Sequence, residues 1–196
     1  MRYRDENKMQ AIRDCAIEMV AKNGLENFGI NRLAKAAGVS PATIYIYYKD
    51  KEDLLTSISI EEGVKMTRAT LKGFDPNASF REGLWVQWKN RAAFSLDNLL
   101  AAEFFEQLRN STYKDKMREA ISLEFRKSMG SFIENAVKRG EINEMPLEVY
   151  WSVAFAPLYA LIRFHNEGQS LDGRKFKFSE SIMKQTFDCV LKGLSK

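Results

Sequence analysis

An all-α fold is what this sequence predicts, and three observations predict it. Apolar residues recur at a 3.6-residue period along almost the whole chain. Prolines stand only at positions 41, 76, 146 and 157, too few for a β-rich chain with its many turns. Glycines sit where periodic segments need stops, at Asn23-Gly24, Gly38, Gly73 and Gly140. About nine helices fit. With 45% hydrophobic and 12% aromatic residues in 196, the chain can bury a core as one large or two small domains.

The first helix is carried by Met9, Ile12, Ala16, Met19 and Val20, which share one face and end at Asn23-Gly24. A short second helix follows with Ile30, Leu33, Ala34 and Ala37 inward, and Gly38 breaks it. Ser40-Pro41 opens a third: the Ser side chain accepts a free backbone N–H, and Pro in the first turn loses no hydrogen bond. Ile44, Tyr45 and Tyr48 are its predicted inward residues. Asp50 caps a fourth helix that starts Lys51-Glu52-Asp53, turns Leu54, Leu55 and Ile58 inward, and runs to about Lys72. After Asp75-Pro76-Asn77 come helices over about 79–94 and 97–109, then a long one from about Tyr113 to Arg139 bearing Met117, Ile121, Phe125, Met129, Phe132, Ile133 and Val137. Leu147 to His165 is apolar on all sides, with Pro157 expected to kink or interrupt it. After a polar loop, a last helix carries Ile182, Met183, Phe187, Val190, Leu191 and Leu194.

The second and third helices, joined by a tight turn at Gly38 and Ser40, make a helix-turn-helix, whose second helix can lie in a DNA major groove. Its outward residues are Ala42, Thr43, Ile46 and Tyr47. Small residues at Pro41 and Ala42 let the helix N-terminus approach a phosphate, with Ser40 and Thr43 adding hydroxyl donors. Lys49 and Lys51 stand where the chain crosses a phosphate strand. The domain is not a polybasic arm, since residues 1–53 hold nine Lys/Arg against eight Asp/Glu. Only the stretch from Asn27 to Lys51 is skewed, with Arg32, Lys35, Lys49 and Lys51 against Asp50.

The run from Ile30 to Leu55 resembles the DNA-binding signature of the TetR family. Ala34 to Ser40 holds its "A-x-x-x-G-V-S" turn, Thr43 to Tyr48 its "T-[IL]-Y-x-[YH]-[FY]" recognition helix, and Lys49 to Leu54 its "K-x-K-x-x-L" entry to the linking helix. The resemblance implies a DNA-reading domain over residues 1–50, and a ligand-binding and dimerisation domain over 51–196 entered by a linking helix at 51–72. It also implies a homodimer built on the last two helices. It makes Ser40, Thr43, Tyr47 and Lys51 phosphate contacts, with Pro41, Ala42 and Tyr45 close to the DNA; Arg32 and Lys49 complete the candidate DNA set. Where the family usually places Ser or Thr to cap the second helix, this chain has Gly29. The recognition helix has no Arg, Asn or Gln before Lys49, so its selectivity leans on apolar contacts and DNA shape.

Behind the reading domain, aromatics exceed what a minimal helical core needs. Trp85, Trp88, Phe104, Phe105, Gln107, Trp151, Phe155 and Tyr159 are the candidate pocket residues for an unidentified small apolar or aromatic ligand, with Gln87, Glu103, Gln107, Arg163 or His165 as its polar anchors. Leu158, Ile162, Ile182, Met183, Phe187, Val190, Leu191 and Leu194 are the candidate dimer face, because the penultimate segment is apolar on more faces than its own domain can cover. His165 reads as a structural residue.

One histidine and two distant cysteines offer no catalytic triad or metal spacing, and no Gly-rich phosphate loop is present, so no enzyme, cofactor or metal is expected. No apolar run approaches the ~20 residues of a membrane span, and the polar start is no signal sequence, which points to the cytoplasm. Cys15 and Cys189 read as buried or partly buried free thiols. The expected function is a repressor released from its operator by a small ligand. The alternative is a helical adaptor or carrier that has lost DNA binding, for which Gly29 and the sparse base-reading set speak.

Overall fold

The computed structural model describes residues 5–109, 111, 113 and 127–196. Within them every regular element is a helix, with one 3-10 turn at Leu25–Asn27 and two isolated bridges. The helices are α1 (Glu6–Asn23), α2 (Ile30–Ala36), α3 (Pro41–Tyr47), α4 (Lys51–Thr70), α5 (Phe80–Asp97), α6 (Leu99–Arg109), α7 (127–138), α8 (Leu147–Ala154), α9 (Ala156–Glu167) and α10 (Glu180–Leu194). Of the long helix expected from Tyr113, only 127–138 falls among these residues; Met117, Ile121 and Phe125 lie outside them. The described residues fall into two compact units, Met1–Lys65 with Asn98–Leu123, and Met66–Asp97 with Glu124–Lys196. α4 therefore begins in the first and ends in the second.

In the first unit, local chemistry sets both ends of α1. Asp5 caps α1, its carboxylate accepting from the Asn7 and Lys8 N–H groups. Gly24 ends that helix at φ +77°. The core joins Ile12, Ala16 and Val20 of α1 to Phe28, Leu33, Ile44, Tyr48, Leu54, Leu55 and Ile58. Phe104 and Leu108 of α6 are fully buried in the same core, so α6 belongs with the reading helices. An amphipathic face guarantees burial without naming the partner.

The second unit is built around α5, whose buried face runs Phe80, Gly83, Leu84, Gln87, Trp88, Arg91, Ala92 and Ser95. Gly83 is required there: a Cβ would run into the ring of Phe132 on α7, which stacks on Phe80 with centroids 5.8 Å apart. Pro157 interrupts the penultimate segment as its sequence predicts, dividing it into α8 and α9 at Phe155. Near this break the Ala154 carbonyl accepts the indole N–H of Trp88 at 2.8 Å. One expectation is corrected: Cys189 is exposed on the outer side of α10, between the buried Phe187 and Val190, while Cys15 is half-buried and burial pushes its thiol up.

Candidate functional site

The turn between α2 and α3 is closed by the backbone. After Ala36 the chain enters the left-handed region at Gly38, φ +66°, where the Gly38 N–H donates to the Lys35 carbonyl (3.4 Å) and the Val39 N–H to the Ala34 carbonyl (2.9 Å). These paired bonds end α2 and turn the chain sharply into α3. Ser40 then caps α3, accepting from the Thr43 N–H at 3.1 Å, and the two hydroxyls lie 2.9 Å apart. Pro41 occupies the first turn. The result is a short helix with an open, hydroxyl-bearing N-terminus, suited to a phosphate.

α3 keeps Ile44 in the core and leaves Pro41, Ala42, Tyr45 and Ile46 exposed. Tyr45, expected inward by its spacing and close to DNA by resemblance, is 54% exposed, because α3 buries only its Ile44 side. Lys49 and Arg32 are also exposed, and Arg32 donates to the Asn27 carbonyl at 3.2 Å. Two predicted contacts are engaged within the protein. Lys51 donates to the Phe28 carbonyl (3.0 Å) with its ammonium 5.4 Å from that ring's centre. Tyr47 is half-buried: its hydroxyl accepts from the Asp5 N–H (3.1 Å) and donates to the Asp5 carbonyl (3.3 Å), tying the start of α1 to the end of α3. Gly29 begins α2 with no side-chain cap, though its carbonyl accepts from the Leu33 N–H.

The candidate ligand residues do not form one cluster. Phe104 and Phe105 pack in the core of the first unit, and Gln107 is exposed on the same helix. Trp85, Trp88, Trp151, Phe155 and Tyr159 are in the second unit, Trp88 and Phe155 fully buried. There Arg91, 3% exposed, donates to the Tyr159 hydroxyl (2.8 Å) and to Gln87 Oε1 (3.3 Å), and its guanidinium carbon lies 4.3 Å from the centre of the Phe155 ring. Of the candidate dimer face, Leu158, Ile162, Met183, Phe187, Val190 and Leu194 are covered within the chain's own core, while Ile182 and Leu191 are half-buried. The large apolar side chains left open on α8 are Leu147, Val149, Trp151 and Val153.

Residues 12–58 match the model of the bacterial regulatory proteins of the tetR family. The chain thus carries a DNA-binding segment of the TetR type and is a transcriptional regulator. Over 147 residues, 74% of this regulator and 75% of its relative, it is 29% identical to the fatty acid metabolism regulator protein of Bacillus subtilis (strain 168). Its fold matches a TetR family transcription regulator from Marinobacter aquaeolei VT8 across the whole of both chains, with a TM-score of 0.83 at 24% identity. It also matches the regulator FadR of Bacillus subtilis, solved in complex with stearoyl-CoA, over 95% of this chain and 99% of that one, with a TM-score of 0.75 at 21% identity.

Sequence reasoning missed three features of the regulator. Asp5 receives Tyr47 from 42 residues away, which no local pattern reveals. Arg13, 8% exposed on α1, pairs with Glu61 and with Glu62 (3.5 Å) on α4, where Lys65 also reaches Glu62 (2.6 Å). Arg91 was legible in principle, because it stands with Gln87 on the face of α5 that Leu84 and Trp88 mark as inward. A charge at an apolar register was the signal. No described helix is long and apolar enough to cross a membrane.

Proposed function

We propose that the regulator is a cytoplasmic homodimeric repressor, released from its operator when the helical domain takes up a compound bearing a long acyl chain. Residues 1–50 read the DNA, α4 is the linking helix, and residues 51–196 bind the effector and dimerise. Arg32, Ser40, Pro41, Ala42, Thr43, Tyr45 and Lys49 form the DNA-facing surface. Tyr47 and Lys51 brace it from within, through Asp5 and Phe28. The outer faces of α9 and α10 meet the second copy, on helices that the buried Leu158, Ile162, Met183 and Phe187 hold in place.

One observation carries the effector class. Similarity to the fatty acid metabolism regulator extends over 147 residues, far beyond the DNA-binding segment at 12–58, and so takes in much of the helical remainder. The test is fluorescence anisotropy on the DNA upstream of the regulator's own gene, at several salt concentrations. A salt-sensitive complex with two chains per site, released by palmitoyl-CoA, is the expected result. A complex that palmitoyl-CoA and palmitate both leave intact overturns the effector class, and failure to bind that DNA overturns self-repression.

A further inference from the structure

The inward face of α5 carries side chains that an apolar core does not need. Gln87 is fully buried and Arg91 nearly so, between Leu84, Trp88 and Ala92. Gln87 commits its oxygen to Arg91, and its Nε2 makes no hydrogen bond. The hydroxyl of Tyr150, 1% exposed on α8, also makes none. Burial pushes the Tyr150 phenol up, and the nearby charge of Arg91 opposes that shift. The guanidinium is packed against aromatic faces, 4.3 Å from the centre of Phe155 and 5.0 Å from that of Trp151.

A network retained for stability satisfies its own donors, since a buried donor left unmatched loses its hydration for nothing. Here an amide N–H and a phenol O–H stay unmatched beside a buried cation. What complements such a set is an acceptor oxygen with partial or full negative charge, attached to a body that fits an apolar core. Cationic and purely hydrocarbon compounds do not qualify.

We propose that Gln87, Arg91 and Tyr150 are the head-group anchor of the effector site, donating to a carboxylate or thioester carbonyl oxygen while the acyl chain packs into the core of the second unit; this rests on the acyl-effector reading above. The unmatched Gln87 Nε2 and Tyr150 hydroxyl are both buried in the free protein. α5 also holds the end of α4, because Asn90, the neighbour of Arg91, donates to the Thr70 (2.9 Å) and Lys72 (2.7 Å) carbonyls. A head group seated on Arg91 therefore acts one residue from the grip on the linking helix.

The test compares the full-length wild type with Gln87→Met and Tyr150→Phe, using palmitate, palmitoyl-CoA and the cation dodecyltrimethylammonium as probes. Thermal melting of the free protein is read first, then the probe concentration that half-releases DNA. Tyr150→Phe should melt at or above the wild-type temperature, since it loses an unmatched hydroxyl, whereas Gln87→Met should melt lower, since Arg91 loses the oxygen it donates to. Both should also need about tenfold more probe, the loss of one charge-assisted or well-aligned hydrogen bond. Release by palmitate identifies a carboxylate ligand, release by palmitoyl-CoA alone a thioester; the cation should do nothing. If the wild type responds and the variants respond equally, the anchor is wrong while the acyl reading stands. A Tyr150→Phe variant that melts lower with unchanged probe response shows a structural network and overturns the anchor. A wild type that binds neither acyl probe overturns both.

Discussion

Replacing thymine by uracil in the operator is the sharpest test of how α3 reads DNA. The exposed face of this helix holds Ala42, Tyr45 and Ile46, with no Arg, Asn or Gln, so bidentate bonds to base edges are absent. What the face offers a major groove is apolar surface, and the apolar feature of that groove is the thymine methyl. Burying one methyl is worth about 0.8 kcal/mol. A dimer meets the same base twice, so removing the methyl symmetrically should cost about 1.6 kcal/mol, roughly 15-fold in affinity. Binding sites are first selected from a random-sequence duplex library. Each thymine pair is then exchanged for uracil in turn, and affinity is read by anisotropy. One or two positions per half-site should respond, and Ile46→Ala should flatten at least one of them. Because a methyl carries no charge, the slope of affinity against salt should stay fixed. If no position changes affinity more than twofold, the apolar face is not the reader, and selectivity rests on DNA shape alone.

Tyr47→Phe removes both bonds to Asp5 and should cost about 1 kcal/mol in urea denaturation, with faster hydrogen exchange in the first turn of α1; lost DNA affinity at unchanged stability would instead assign the hydroxyl to a phosphate. Gly83→Ala forces a methyl into the Phe132 ring and should destabilise by about 1–3 kcal/mol, so an unchanged melting temperature would mean that α5 and α7 separate freely. Glu141 accepts from the Phe80 N–H at the start of α5, and its carboxyl is held below the ordinary value first by the Arg139 hydrogen bond, against burial, and then by that N–H. A depressed folded pKa stabilises above the unfolded value near about 4.3 and is lost as pH falls through the folded one. The melting difference between wild type and Glu141→Gln should thus be full at pH 7 and shrink below about pH 4, whereas a pH-independent difference would refute the charge's role.

Helix ends were legible because their causes are local. Gly38 needs a positive φ, Ser40-Pro41 caps and opens α3, and Pro157 cannot donate to the ladder it interrupts, so each announces itself within a few residues. Identity of the buried partner was not legible. Phe104 shows the same apolar spacing whether α6 packs on an effector domain or, as it does, in the reading unit's core. Met183 and Phe187 likewise report an amphipathic helix without saying whether its own chain or a second copy covers them. Tyr47 fails for the opposite reason. Its position on α3 suits a DNA contact, and only the arrival of Asp5 from the start of α1 takes up the hydroxyl.

These contacts bear on how a reader with so few base-specific groups is switched. Within the first unit Arg13 holds α1 to α4 through the half-buried Glu61 and the buried Glu62, and only the Arg13–Glu62 pair is of the buried kind whose severing typically costs about 3–5 kcal/mol. Tyr47 ties α1 to α3, and Lys51 ties α4 to the segment before α2. Within the first unit these helices are therefore held to one another. At its far end α4 is held by Asn90 on α5, beside Arg91. In the repressor proposed above, an effector that moves α5 acts on this end of α4 and not on the recognition helix. In a dimer it has only to alter the separation of two heads, which must meet major grooves about 34 Å apart.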